Sequence, residues 1–171
     1  MNAADYSAVE TLRDGRPVEI RAQRAGDRDA IAAALRRSSP ETIHRRFFGA
    51  RTSFTEKEIA FYLDIDFVQH VALVAELEEA GQKVVAGGGR YIVSELGRAE
   101  VAFTVDDPHQ GRGIGARLMR HLVAIAQTSG IKEFFAEVLP ENAAMLKVFE
   151  RSGLTMTTRR DAGVVHVTLG L

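Results

Sequence analysis

The chain has 171 residues and a formal net charge of −1, from 22 basic and 23 acidic side chains. This length is typical of one domain with a sizeable core. The near-neutral balance argues against a general affinity for nucleic acid or for an anionic membrane surface. Because cysteine is absent, disulfides, thiolate metal sites and a cysteine nucleophile are excluded.

Targeting and metal signals are not found in the sequence. No apolar run approaches the ~18 residues that cross a bilayer, and the first residues lack the charged-then-apolar pattern of a secretion signal. We therefore expect a cytoplasmic protein without a membrane partner. The five histidines do not have the spacing of a zinc site, so we also expect no metal.

Hydrophobic periodicity predicts a mixed order of strands and helices. Residues 1–16 are expected to be a loose lead-in, and residues 17–171 to form a single domain. The predicted strands cover residues 17–23, 70–77, 83–93, 98–107 and 131–140, with a hairpin over 154–169. The predicted helices cover residues 26–39, 38–48, 55–63, 116–129 and 142–153. This order indicates an α+β (mixed α/β) domain built on one twisted sheet.

Capping signals support several of these helices. Asp27 is expected to cap the first helix and Asn142 the last. Thr55 and Glu58 have the spacing of a capping box, and Gly130 is expected to end the fourth helix. The glycine-rich run AGGGRY, over residues 86–91, predicts a bulge or a close approach between strands.

The sequence DDPHQGRGIGARLMRHL, over residues 106–122, places three glycines directly before a helical pattern. The first N–H groups of a helix have no internal partner, and glycines let successive N–H groups approach one anion. The run therefore predicts a phosphate-binding loop, to which Arg112 and Arg117 could add charge. A nucleoside-triphosphate loop would need Lys-Ser or Lys-Thr where Ala116-Arg117 stands, and the spacing G-x-G-x-G does not fit the dinucleotide fingerprint.

The pattern Gln110-x-x-Gly113-x-Gly115 resembles the acetyl-CoA-binding loop of the GNAT N-acetyltransferase superfamily. Its setting is also similar, because ENAAMLKVFERSGL resembles the Asn-initiated helix that closes the cofactor site of this fold. The resemblance covers roughly residues 17–170. It implies a mostly antiparallel sheet, flanked by helices and splayed at the acetyl-CoA site, in an enzyme that acetylates an amine. The amine attacks the thioester directly in this family, which agrees with the absence of cysteine.

A narrower resemblance concerns the acceptor. The segments SPETIHRRFFGAR, HVALVAEL and RAEVAFTVDDPHQGRGIG are similar to bacterial protein lysine acetyltransferases that regulate acyl-CoA synthetases. This implies a protein lysine as acceptor and an acyl-CoA synthetase as a candidate partner. The choice of acceptor is expected to lie in residues 39–51, and the basic run HRRFFGAR, over residues 44–51, is expected to form part of the acceptor-side wall. That family often fuses this domain to a nucleotide-binding or synthetase-like module, which we do not expect within these 171 residues. A small-molecule amine acceptor and a non-catalytic acyl-CoA-sensing module are the alternatives.

The resemblance also assigns roles to individual residues. Glu100 matches the general base that takes the proton of the attacking amine, with Glu137 on the next strand as its rival. The strand 98–107 turns Glu100, Ala102 and Thr104 to one face and Ala99, Val101, Phe103 and Val105 to the other. The cofactor contacts are expected from the backbone of Phe103, Thr104 and Val105, from the pyrophosphate loop of Gln110, Gly111, Arg112, Gly113, Ile114, Gly115 and Ala116, and from Asn142.

Two of these roles have competing interpretations. Asn142 is equally well explained as a plain helix cap. Phe149 stands where the family often has a tyrosine that reprotonates the CoA thiolate, and a phenyl ring has no proton to give. We therefore predict no general acid, with Tyr91 and Tyr62 as outside candidates.

Overall fold

Eight strands form one sheet in the computed structural model, which describes residues 1–37 and 55–171. Their order across the sheet is β1-β2-β3-β4-β5-β6-β8-β7. All neighbours pair antiparallel except β5 and β6, which are parallel. The strands are β1 (Ser7–Thr11), β2 (Pro17–Ala22), β3 (His70–Glu79), β4 (Gln82–Glu95), β5 (Arg98–Val105), β6 (Glu133–Val138), β7 (Thr155–Asp161) and β8 (Val164–Gly170).

Helices pack on both faces of this sheet, and the predicted α+β class is confirmed. The described helices are α1 (Arg28–Arg37), α2 (Glu56–Leu63), α3 (Ile114–Thr128) and α4 (Ala143–Glu150). Strand β3 is buried on both faces, because Leu73 packs in the core with α3 while Val74 packs with α1 and α2. The predicted helix over 38–48 lies outside the described residues, as does all of the segment 39–51.

The predicted lead-in over residues 1–16 is wrong in part, because Ser7–Thr11 form the edge strand β1. Its partner is β2, with Ser7 opposite Arg21 and Thr11 opposite Pro17. The turn between them contains Asp14-Gly15, and Gly15 has φ +85°. An Asp-Gly pair between two alternating segments is a strong hairpin signal, so the sequence did contain the evidence for this strand.

The helix caps follow the prediction at three ends and differ at one. Thr55 and Glu58 form the reciprocal capping box, Asn142 Oδ1 accepts the N–H of Met145, and Gly130 follows the end of α3. Asp27 does not cap α1. Its carboxylate instead accepts two hydrogen bonds from the buried Arg21 guanidinium, at 2.7 and 2.8 Å.

The run AGGGRY contains both features that its glycines predict. The register between β3 and β4 shifts by one residue at Ala86, which forms a bulge. A β-carbon at Gly89 would lie only 2.7 Å from the Phe103 ring, so this position requires glycine. The bulge also directs the Ala86 carbonyl toward the end of β5, where it accepts the N–H of Asp106 at 2.8 Å.

The sheet opens between its two parallel strands. Residues 98–100 of β5 pair with residues 133–135 of β6, and the pairing ends at Glu100 and Phe135. Both strands continue, to Val105 and Val138, without pairing with each other. The predicted splay is therefore present, and it leaves the second half of β5 facing a cavity.

Candidate active site

A cavity of about 510 Å³ occupies the opening between β5 and β6. Its walls are the second half of β5, the loop before α3, the end of β6 and the exposed side of α4. Eleven of the twelve predicted site residues line it: Glu100, Phe103, Thr104, Val105, Gln110, Gly111, Gly113, Ile114, Gly115, Ala116 and Asn142. The sequence therefore selected residues that are distant along the chain and adjacent in the fold.

Arg112 is the predicted site residue that does not line this cavity. Its guanidinium instead lies 3.2 Å from Nδ1 of the buried His109 and 4.0 Å from the Asp14 carboxylate. Arg117 also points away from the loop's anion side, because its guanidinium donates to Gly113 O and to Thr11 O. The loop's backbone, rather than these two side chains, faces the cavity.

The loop before α3 is held by hydrogen bonds at both ends. The Gln110 amide donates to Val105 O at 3.1 Å and to the Asp107 carboxylate at 3.2 Å. Gly113 is the residue before the helix and has φ +84°, a conformation that favours glycine. It directs the first N–H groups of α3 toward the cavity, where the helix dipole favours an anion.

Glu100 lies at the point where the two parallel strands separate. It is exposed, it lines the large cavity, and its neighbour Phe135 on β6 is the last paired residue. Alternation along β5 turns it to the same face as Ala102 and Thr104. The carboxylate is thus open to both solvent and the cavity.

A second, smaller cavity of about 60 Å³ lies on that same face of the sheet. It runs under α1 and α2 and is bounded by Gln23, Ile31, Tyr62, Val74 and Arg90, among others. Ala102 and Thr104 line both cavities. Both spaces therefore border the second half of β5.

Charged and aromatic groups are buried at the floor of the smaller cavity. The Arg90 guanidinium lies 3.9 Å from the centre of the Tyr62 ring and 2.9 Å from His70 Nε2. Burial, together with the positive charge of Arg90, lowers the pKa of His70 to about 4. His70 is therefore neutral at neutral pH and can accept the hydrogen bond from Arg90.

The rival carboxylate Glu137 lies on β6, across the large cavity from β5. It is exposed, and its Oε1 is 3.6 Å from Nδ1 of His166 on β8. It therefore shares the cavity with Glu100 but lies on the opposite wall.

The aromatic residues considered as general acids occupy different places. Phe149 is buried in the cavity wall, with its ring 6.2 Å from that of Phe103. Tyr91 is buried against Phe134, and burial raises the pKa of its hydroxyl. Tyr62 lines the smaller cavity.

Several cavity residues were missed by the sequence analysis. The largest group comes from α4 and the residue that caps its end: Ala144, Met145, Lys147, Val148 and Arg151. The sequence feature that could have identified them is the exposed side of the predicted helix 142–153, because that side is free to face a cavity. Arg13 was also missed, since it lies in the predicted lead-in and reaches the cavity through the β1–β2 turn.

Comparison with known proteins agrees with this architecture. The model of the acetyltransferase (GNAT) family matches residues 38–154. Acetyltransferase PA5475 of Pseudomonas aeruginosa is 38% identical over 138 residues, which cover 80% of this chain and 74% of that protein. Acetyltransferase Pat of Mycolicibacterium smegmatis is 37% identical over 129 residues, which cover 74% of this chain but only 38% of that protein.

A solved structure extends the likeness to almost the whole chain. The GNAT domain of S. lividans PAT superimposes with a TM-score of 0.85 at 33% identity, covering 96% of this chain and 97% of that one. Together these likenesses define the class of the protein as an acetyltransferase. Within this class the chain belongs to the GNAT family, whose members use acetyl-CoA as donor. The predicted family and enzyme class are confirmed.

The described part of the chain gives no sign of a membrane span or a metal centre. None of its helices is long and apolar enough to cross a membrane. Nor do its His, Asp and Glu side chains form a group of three that could hold a metal ion.

Proposed function

We propose that this GNAT acetyltransferase transfers acetyl from acetyl-CoA to the side-chain amine of a protein lysine, with Glu100 as general base. The likeness to proteins named Pat supports a protein acceptor. The role of Glu100 as base belongs to this proposal, and so do the roles of the predicted cofactor-binding residues. An acyl-CoA synthetase remains a candidate partner, and the cytoplasm the proposed location.

The observation that carries this proposal is that two cavities share Ala102 and Thr104 in their linings. The larger cavity is lined by a helix N-terminus suited to the CoA pyrophosphate, and the smaller one lies under α1 and α2. A thioester lying along Phe103–Val105 would therefore face an amine arriving through the smaller cavity. Such an arrangement favours direct transfer within one ternary complex.

The chemistry requires a base, because a lysine ammonium has a reference pKa of ~10.4. Glu100 takes one proton from it, directly or through water. The neutral amine then forms a C–N bond with the thioester carbonyl carbon and the C–S bond breaks, which gives the CoA thiolate. The nitrogen loses its second proton to solvent or to the thiolate, and acetylated lysine results. Backbone N–H groups of β5 that do not pair with β6 would polarise the carbonyl oxygen.

The leaving thiolate needs no proton donor at the position of Phe149. A cysteine-like thiol has a reference pKa of ~8.5, so a thiolate is a tolerable leaving group near neutral pH. It can take a proton from solvent after release. This accounts for a phenyl ring where other family members carry a tyrosine.

Glu100→Gln tests the base assignment, with CoA release measured on lysine-containing peptides. We expect kcat to fall ~10²–10⁴-fold at neutral pH, because the amide cannot accept the proton. Acetyl-CoA at about 100 times its Kd should still stabilise the variant by ~2.7 kcal/mol in thermal unfolding. Glu137→Gln removes the carboxylate on the opposite cavity wall and should retain the activity of the unmodified protein.

The outcomes separate the competing functions. Full activity of Glu100→Gln, or an equal loss in Glu137→Gln, would remove Glu100 from the mechanism. Acetylation of small amines but not of peptides would indicate a small-molecule acetyltransferase. Donor binding without CoA release from any acceptor would indicate an acyl-CoA sensor.

A further inference from the structure

Arg13 lies beside the glycine loop although it is about one hundred residues away from it in the sequence. It lines the large cavity together with Gly111 and Gly113. A β-carbon built on Gly113 would lie 3.4 Å from Arg13 Nε. The guanidinium is therefore next to the helix N-terminus that faces the cavity.

The charge of Arg13 is not neutralised by a neighbouring carboxylate. Its side chain is exposed, and none of the ion pairs within residues 1–37 and 55–171 includes it. The nearby arginines differ in this respect. Arg117 lies 3.5 Å from Glu10, and Arg112 lies 4.0 Å from Asp14.

The β1–β2 turn that carries Arg13 is fixed to α3 by a separate set of contacts. Arg117 joins the two elements, since it donates to Thr11 O at 2.5 Å and to Gly113 O at 3.0 Å. Glu10 accepts hydrogen bonds from Arg120 and from His121 Nε2, both on α3. The turn therefore holds its position relative to the loop without any contribution from the Arg13 side chain.

We propose that Arg13 is an additional donor-binding residue, whose guanidinium binds the pyrophosphate of acetyl-CoA opposite the N–H groups of α3. A guanidinium suits a phosphate oxygen because it offers several N–H donors in a fixed plane. The N–H groups and Arg13 would then hold the diphosphate from two sides. The inference rests on acetyl-CoA being the donor, and it does not depend on Glu100 or on the nature of the acceptor.

The test compares Arg13→Ala with Arg160→Ala, a matched loss of one exposed arginine on β7 at the opposite edge of the sheet. Binding is measured by titration calorimetry with acetyl-CoA, with acetyl-dephospho-CoA and with acetyl-pantetheine. We expect Arg13→Ala to raise the Kd of the first two ligands by the same factor, about three- to tenfold for an exposed charged contact. Acetyl-pantetheine lacks the diphosphate and should bind both variants equally.

Arg13→Lys should recover part of the lost affinity, and added salt should reduce the difference between the Ala variants. A Kd for acetyl-CoA equal in Arg13→Ala and Arg160→Ala would overturn the proposal. A loss seen with acetyl-CoA but not with its dephospho form would assign Arg13 to the 3′-phosphate and overturn it as well. If the unmodified protein binds none of the three ligands, the failure belongs to the proposed function instead.

Discussion

The charge state of His70 depends on the residues that surround it in the fold. It begins β3, is buried beside Arg90, and stacks against the Phe61 ring with 5.1 Å between ring centres. Its backbone N–H also donates to the Asp66 carboxylate. The sequence offered five histidines without any pattern to separate them, so the neutral, buried state of this one depends on tertiary contacts.

The low pKa of His70, about 4, predicts a pH dependence of stability. The unfolded chain binds a proton on this histidine near pH 6.5, whereas the folded chain binds it only near pH 4. The free energy of unfolding should therefore fall as pH drops through this window, by up to ~1.4 kcal/mol per pH unit from this group. Urea denaturation at closely spaced pH values should show a shallower slope for His70→Asn, and an unchanged slope would contradict the burial argument.

At the scale of elements, a buried ionic network joins β2, β3 and the turn before α1. Arg21 donates to Asp27 and also to Glu76 of β3, at 2.7 Å. Burial raises the pKa of Asp27, but the hydrogen bonds from Arg21 and Arg24 outweigh it and hold that pKa below its ordinary value. The entry to α1 is thus fixed by a side-chain network instead of a simple cap.

Asp27→Ala should be strongly destabilising, because it leaves the Arg21 guanidinium buried with one of its two carboxylate partners missing. We expect a loss of about 3–5 kcal/mol in the free energy of unfolding. Asp29→Ala, an exposed loss of the same charge in the first turn of α1, should cost less than ~1 kcal/mol. Chemical denaturation measures both, and equal losses would show that the network contributes little.

At the scale of the whole molecule, the sequence predicted most of the lining that the structure gives to the larger cavity. The glycine loop, the two faces of β5 and the Asn142 cap are local patterns, and a local pattern can be read without knowing the tertiary fold. The residues that were missed depend on contacts between distant elements. Arg13 and Gly113 are neighbours only because the β1–β2 hairpin folds against α3, and no spacing in the sequence encodes that distance.

The smaller cavity could not be predicted from the sequence, for a similar reason. It forms where α1 and α2 cross the face of β4 and β5, so its lining combines Tyr62, Arg90 and Thr104 from three separate elements with Gln23 from the segment after β2. Each of these residues has an ordinary role when considered alone. Only the fold brings this cavity beside the larger one.

The proposed direct transfer requires donor and acceptor to meet in one complex at Ala102 and Thr104. The most direct test is the initial rate of CoA release, measured over a matrix of acetyl-CoA and lysine-peptide concentrations. Direct transfer predicts double-reciprocal lines that intersect, since both substrates must be bound before either product leaves. Parallel lines, together with an acetylated protein formed from acetyl-CoA alone, would contradict direct transfer.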